Sequence, residues 1–72
     1  MNKTVRIKIE YRGKEYLGNI DKLSTEDFEE LEKKVETIVD GEMSHAKLKI
    51  KNLTHYFPKD VLKESIITIE EL

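Results

Sequence analysis

Lys47, Lys49 and Lys51 alternate with Ala46, Leu48 and Ile50. A strand sends successive side chains to opposite faces, so this segment has one apolar face and one basic face. The same period of two runs through Val5, Ile7, Ile9 and Tyr11, with Arg6 and Lys8 between them. Residues 3–20 therefore read as a β-hairpin. Its turn is most simply placed at Gly13-Lys14, with glycine at the first central position as a type II′ turn prefers. In that register Arg12 faces Glu15, Tyr11 faces Tyr16, Ile9 faces Gly18 and Ile7 faces Ile20. One apolar face results, which a slip of one residue would scatter. Gly18 opposite Ile9 marks either a bulge or room for a helix side chain.

The period then changes. Phe28, Leu31, Val35 and Ile38 recur at helical spacing, which predicts a helix over residues 24–40 with one apolar stripe. Ser24 is a good N-cap, with Asp27 at the third helical position, and Leu23 and Phe28 are placed as a hydrophobic staple. Gly41 follows the stripe and can take the left-handed conformation that ends helices. Residues 46–51 form the lysine-laddered strand, and 54–57 make a possible short return strand. Pro58 opens a helical turn over 58–63. Ser65 to Glu71 is a final strand, with Ile67 and Ile69 facing the core and Ile66 and Thr68 outward, the opposite phase being the alternative.

This order predicts a single small α+β domain spanning 1–72. One helix packs on one face of a mainly antiparallel four-stranded sheet, ββαββ, with a fifth short strand as an option. A right-handed crossover would set the first and laddered strands side by side in the middle. Arg6, Lys8, Lys47, Lys49 and Lys51 would then share the face turned away from the helix.

Charge sharpens this picture. The 72 residues carry a net charge of −2, but residues 21–42 hold nine acids and three lysines, and the rest ten bases and six acids. An acidic helix side and a basic sheet side are expected. There is no cysteine, which excludes disulfides and thiolate chemistry. No apolar run approaches the roughly 20 residues of a membrane helix, and no apolar leader precedes the first strand. A soluble, cytoplasmic protein is expected.

Candidate chemistry is sparse. His45 and His55 match no metal-ligand spacing, and neither has a cysteine partner. Ser24 is engaged as a cap, and the neighbours Ser44 and His45 need not face each other. The helix carboxylates lie on a solvated face, and none of the three glycines belongs to a phosphate-cradling loop. No catalytic residue, metal site or cofactor is expected.

Two segments carry a resemblance. They are the hairpin Val5-Arg6-Ile7-Lys8-Ile9-Glu10-Tyr11-Arg12-Gly13-Lys14-Glu15-Tyr16 and the tail Tyr56-Phe57-Pro58-Lys59-Asp60-Val61-Leu62-Lys63-Glu64-Ser65-Ile66-Ile67. Together they resemble small α+β proteins of phages, prophages and mobile elements of low-GC Gram-positive bacteria. The resemblance implies a small accessory protein and assigns no residue a role.

The functional expectation is a non-catalytic interaction protein that binds a protein partner, or itself as a dimer, through its sheet. The candidate face comprises Arg6, Lys8, Lys47, Lys49 and Lys51, with Leu17 and Ile66 as apolar neighbours. The alternative is weak, sequence-nonspecific nucleic-acid binding by the lysines. Single-strand binding also wants aromatic platforms among the bases, and the outward positions of the first and laddered strands supply none. Tyr56 or Phe57 can supply one, although one of the two should be buried. The plainest reading of strand lysines is protection against aggregation.

Overall fold

The computed structural model describes residues 2–72. The chain forms β1 (Asn2–Tyr11), β2 (Lys14–Leu17), β3 (Asp21–Ser24), α1 (Thr25–Val39), β4 (His45–Ile50), β5 (Leu53–Pro58), α2 (Lys59–Lys63) and β6 (Ser65–Glu71). The class is α+β and every strand pair is antiparallel.

The long strand β1 organises a four-stranded sheet. One edge of β1 pairs with β2 along its C-terminal half and with β3 along its N-terminal half. The other edge pairs with β6 from Val5↔Glu71 to Tyr11↔Ser65. Ile7 stands opposite Ile69 and Ile9 opposite Ile67, so the inward phase expected for the last strand is the observed one.

The lysine-laddered strand does not join this sheet. β4 pairs with β5 alone, in a separate two-stranded sheet. The expected ββαββ order thus becomes two antiparallel sheets and two helices, with residues 53–58 a full strand. The expected neighbours β1 and β4 face each other through the core instead. Ile9, Ala46, Leu48, Phe57 and Leu62 form the buried cluster, and Ile7, Tyr16, Ile38, Ile50, Val61 and Ile67 pack against it. Tyr16 meets Phe57 edge to face at 5.1 Å between ring centroids, a favoured aromatic geometry.

The first hairpin turns one residue earlier than expected. Tyr11 stands opposite Lys14 and Ile9 opposite Tyr16, so the turn is Arg12-Gly13. Both central residues have positive φ, +50° and +82°, as a type I′ turn requires, and this turn matches the strand twist. The shift moves each pairing by two positions, so the apolar face survives. Arg12 reaches Glu64 at 3.2 Å and Glu15 reaches Lys8 at 3.5 Å, in place of the expected Arg12–Glu15 pair.

Gly18 explains the break between β2 and β3. A Cβ there would lie 2.8 Å from Leu48 Cδ1 and 3.1 Å from the Ile7 carbonyl oxygen. The missing side chain admits β4 rather than a helix residue.

The helix follows its local signals. Ser24 Oγ accepts from the Asp27 N–H at 3.2 Å. Gly41, at φ +78°, donates to Ile38 O and Glu42 donates to Thr37 O, the two bonds of a Schellman motif. Phe28 is buried, and Leu31, Val35 and Ile38 are half-buried.

Candidate interaction surfaces

The predicted basic face divides in two. Arg6, Lys8, Leu17 and Ile66 lie on the outer face of the four-stranded sheet, since their β1 and β6 neighbours Ile7, Ile9, Ile67 and Ile69 point inward. Lys47 and Lys49 lie on the outer face of the β4–β5 hairpin, opposite in phase to buried Ala46 and Leu48. The inner faces of the two sheets meet in the core, so these outer faces point apart. The cause is strand pairing: β4 found β5 rather than β1.

The first of these faces is electrically closed. Arg6 reaches Glu70 at 3.1 Å and Lys8 reaches Glu15 at 3.5 Å. Leu17 pairs with Lys8 on one flank of β1 and Ile66 with Glu10 on the other, so the two apolar residues form no joint patch.

The hairpin face is different. Lys47 stands opposite Tyr56 and Lys49 opposite Thr54. The Lys47 Nζ lies 5.9 Å from the Tyr56 ring centroid, within cation–π range. Tyr56 is 64% exposed whereas Phe57 is 5% exposed, so Tyr56 is the outward aromatic. Among the described residues, Lys47, Lys49 and Lys51 have no ion-pair partner.

Lys51 leaves the strand. It occupies the β4–β5 turn with φ +57°. The Lys51 N–H donates to Asn19 Oδ1 at 2.7 Å, and Asn19 Nδ2 donates to the Lys51 carbonyl at 3.1 Å. The Asn19 N–H also donates to Lys49 O at 3.1 Å. Asn19 therefore ties the turn of one sheet to the strand break of the other. Sequence reasoning missed this role, because Asn19 falls inside the single strand predicted through residue 20.

A third surface is an open sheet edge. Gly18 N–H donates to Ile7 O on one side of β1, and Leu72 N–H donates to Thr4 O on the other, both at 2.8 Å. Hydrogen-bonded pairs recur at every second residue of an antiparallel ladder. The even-numbered residues of β6 thus bond to β1, while the N–H and C=O groups of Ser65, Ile67, Ile69 and Glu71 point out of the sheet. No other strand among the described residues pairs with that edge. Between Ser65 and Glu71 there is no lysine, proline or glycine, and charge enters only at Glu70 and Glu71, so the stretch from Ser65 to Ile69 lacks the usual edge-blunting devices. Elsewhere such devices are present: β5 ends in Pro58, the β2–β3 edge is broken at residues 18–20, and β4 carries Lys47 and Lys49.

A cleft of about 510 Å³ opens between α1, β1 and β4. Val5, Ile7, Leu23, Leu31 and Leu48 supply its apolar lining, and Asp21, Asp27, Glu30, Lys34 and Lys49 line it with both signs of charge. Ser44 Oγ and His45 Nδ1 do meet, at 3.1 Å, but both residues are exposed. His45 and His55 stand on opposite faces of the hairpin, since they pair with Pro58 and Leu48 respectively. Among the described residues no group of three or more His, Cys, Asp or Glu is placed to hold a metal ion. No helix among them is long and apolar enough to cross a membrane.

No protein-family model, curated protein or solved structure matches the chain.

Proposed function

We propose that the protein is a non-catalytic accessory or interaction protein that binds a protein partner, or itself, through its four-stranded sheet. The observation that carries this is the unpaired edge of β6. A row of aligned backbone donors and acceptors on an isoleucine-rich strand is a template for an added strand. Main-chain bonds supply affinity there, and alternate side chains supply selectivity. A cytoplasmic setting suits a chain without cysteine. A phage- or prophage-type accessory role is part of the same proposal.

Catalysis is left out of the proposal on chemical grounds. A nucleophile needs a base that is itself oriented by a third group. The Ser44–His45 contact is between sequence neighbours in solvent, and no carboxylate bonds to His45 among the described residues.

The test is capture from an extract of the native host, with nuclease present, using the wild-type chain and Thr68→Glu as baits. Thr68 lies at the middle of β6, opposite Lys8. A partner retained by wild type and lost by the variant supports the edge. Equal capture by both refutes it.

The second reading is weak, sequence-nonspecific binding of single-stranded nucleic acid on the hairpin face. The observation favouring it is the outward Tyr56 beside two lysines without ion-pair partners. Stacking on an aromatic ring plus phosphate contact is the usual combination. A net charge of −2 works against it. A salt titration decides: phosphate contacts make log affinity fall steeply and linearly with log salt.

A further inference from the structure

We propose that two copies of the chain pair antiparallel through β6, with Thr68 on the two-fold axis, to make one continuous sheet. This rests on the reading of β6 as the interaction edge and names its occupant as a second copy. Closed two-fold pairing uses the same surface on both subunits, so β6 must be complementary to itself. It is, in one register.

The ladder restricts the choices. Only the odd-numbered residues of β6 carry free N–H and C=O groups, so odd residues must face odd residues. Registers that keep most of the strand paired are centred on Ile67, Thr68 or Ile69. Centring on Ile67 pairs only Ser65 to Ile69 and carries Glu70 of each copy past the end of the partner strand towards Glu64, which caps α2 rather than extending β6, so like charges approach. Centring on Ile69 sets Glu71 against Ile67 and Glu70 against Thr68, crowding four carboxylates around the axis. Centring on Thr68 removes both conflicts.

In that register Ile67 faces Ile69 of the second copy, Ser65 faces Glu71, and Thr68 faces its own twin. The acids fall at the two far ends of the ribbon. Each remains beside its own cation, Glu70 with Arg6 at 3.1 Å and Glu71 with Lys3 at 3.0 Å. The two-fold axis stands perpendicular to the sheet, so the inner faces stay on one side. The half-buried Ile67 and Ile69 then extend one apolar layer across the junction. Ile66, 63% exposed, gains a neighbour on its open side. A ribbon of seven residues is a small interface, and small interfaces give weak, concentration-dependent association.

The chain has no cysteine, so single cysteines report the register. Thr68→Cys would meet its twin as a non-hydrogen-bonded pair, at a Cα separation of roughly 4.5 Å, which a disulfide spans. Ile66→Cys, on the same outer face, would meet Glu70 instead. Thr68→Glu opposes two carboxylates across the axis while facing Lys8 within its own chain.

The experiment is sedimentation of wild type and Thr68→Glu from micromolar to millimolar concentration, with disulfide formation timed for both cysteine variants. The dimer fraction of wild type should rise with concentration, and Thr68→Glu should stay monomeric with an unchanged melting temperature. Thr68→Cys should cross-link roughly tenfold or more faster than Ile66→Cys, because only it meets disulfide geometry. A wild-type monomer at millimolar concentration, equal cross-linking by the two variants, or a dimer indifferent to Thr68→Glu overturns the pairing. A wild-type monomer removes the second copy alone. The edge as a site for another protein falls separately, if host-extract capture is also indifferent to Thr68→Glu.

Discussion

The Asn19 carboxamide holds both backbone groups of Lys51, accepting from its N–H at 2.7 Å and donating to its carbonyl at 3.1 Å. These two hydrogen bonds, one to each peptide unit flanking its Cα, hold a non-glycine residue at φ +57°, a conformation that costs roughly 1–2 kcal/mol when unsupported. They also fasten the β4–β5 hairpin, which shares no strand pairing with the other sheet, to the break between β2 and β3.

Asn19→Ala should therefore destabilise the domain by about 1–2 kcal/mol, through two lost hydrogen bonds and a freed turn. Lys51→Gly in the Asn19→Ala background should recover part of the loss, because glycine accepts positive φ without strain. Denaturant melts of the single and double variants check both. A double variant no more stable than Asn19→Ala alone would show that turn strain is not the cause.

Gly18 tests the same junction from below. Gly18→Ala would push a methyl group against Leu48 and the Ile7 carbonyl, at 2.8 and 3.1 Å. Overpacking of this kind costs about 1–3 kcal/mol. Trimming Leu48 to Val in the same chain should cost less than the two single changes added together, since the two side chains compete for one space. Additive losses in urea unfolding would place the strain elsewhere.

Helix α1 offers a graded series. Ser24→Ala removes the bond to the Asp27 N–H and should cost about 1 kcal/mol. Phe28→Ala empties a position only 8% exposed and should cost about 3–5 kcal/mol. Leu31→Ala should fall below Phe28→Ala, because Leu31 is half-exposed above the open cleft. Thermal melts that rank Leu31 above Phe28 would mean the stripe is rotated from the observed phase.

The helix is legible in the sequence because its signals are local. Ser24, Phe28, Leu31, Val35, Ile38 and Gly41 each act within a turn or two of their own position. The strands β1, β4 and β6 are equally legible, as is the inward phase of Ile67 and Ile69, whereas the short strand β3 at Asp21–Ser24 is not foreseen. Strand partnership is not. The alternation of lysines with Ala46 and Leu48 says which side of β4 is buried and nothing about which strand lies beside it. The predicted face of Arg6, Lys8, Lys47, Lys49 and Lys51 depended on that partnership, and so it divides between two surfaces. The turn at Arg12-Gly13 escapes for a related reason. Glycine suits the second central position of one turn type as well as the first of another, and only the strand register chooses. The clamp by Asn19 and the open edge of β6 both follow from pairing, so neither has a local signal.

Lys47, Lys49 and Tyr56 carry the last prediction. Lys47→Gln with Lys49→Gln should leave the melting temperature nearly unchanged, because exposed substitutions away from special features move stability by less than about 0.5 kcal/mol each. Adding Lys51→Gln should also be mild, since its bonds to Asn19 use the backbone only. If the hairpin face takes single-stranded nucleic acid, the lysine changes should flatten the salt dependence of oligonucleotide binding, each lost phosphate contact reducing the slope by about 0.7. Tyr56→Ala should weaken binding by about 1–3 kcal/mol per stacked base while leaving that slope alone. Fluorescence anisotropy with a labelled oligonucleotide separates the two effects in one set of titrations. Wild-type binding that neither the lysine changes nor Tyr56→Ala alters would remove this face from any role in nucleic-acid contact. Absence of wild-type binding at low salt would leave the lysines as guardians of an otherwise sticky hairpin. In that case Lys47→Ile with Lys49→Ile should make the chain aggregate.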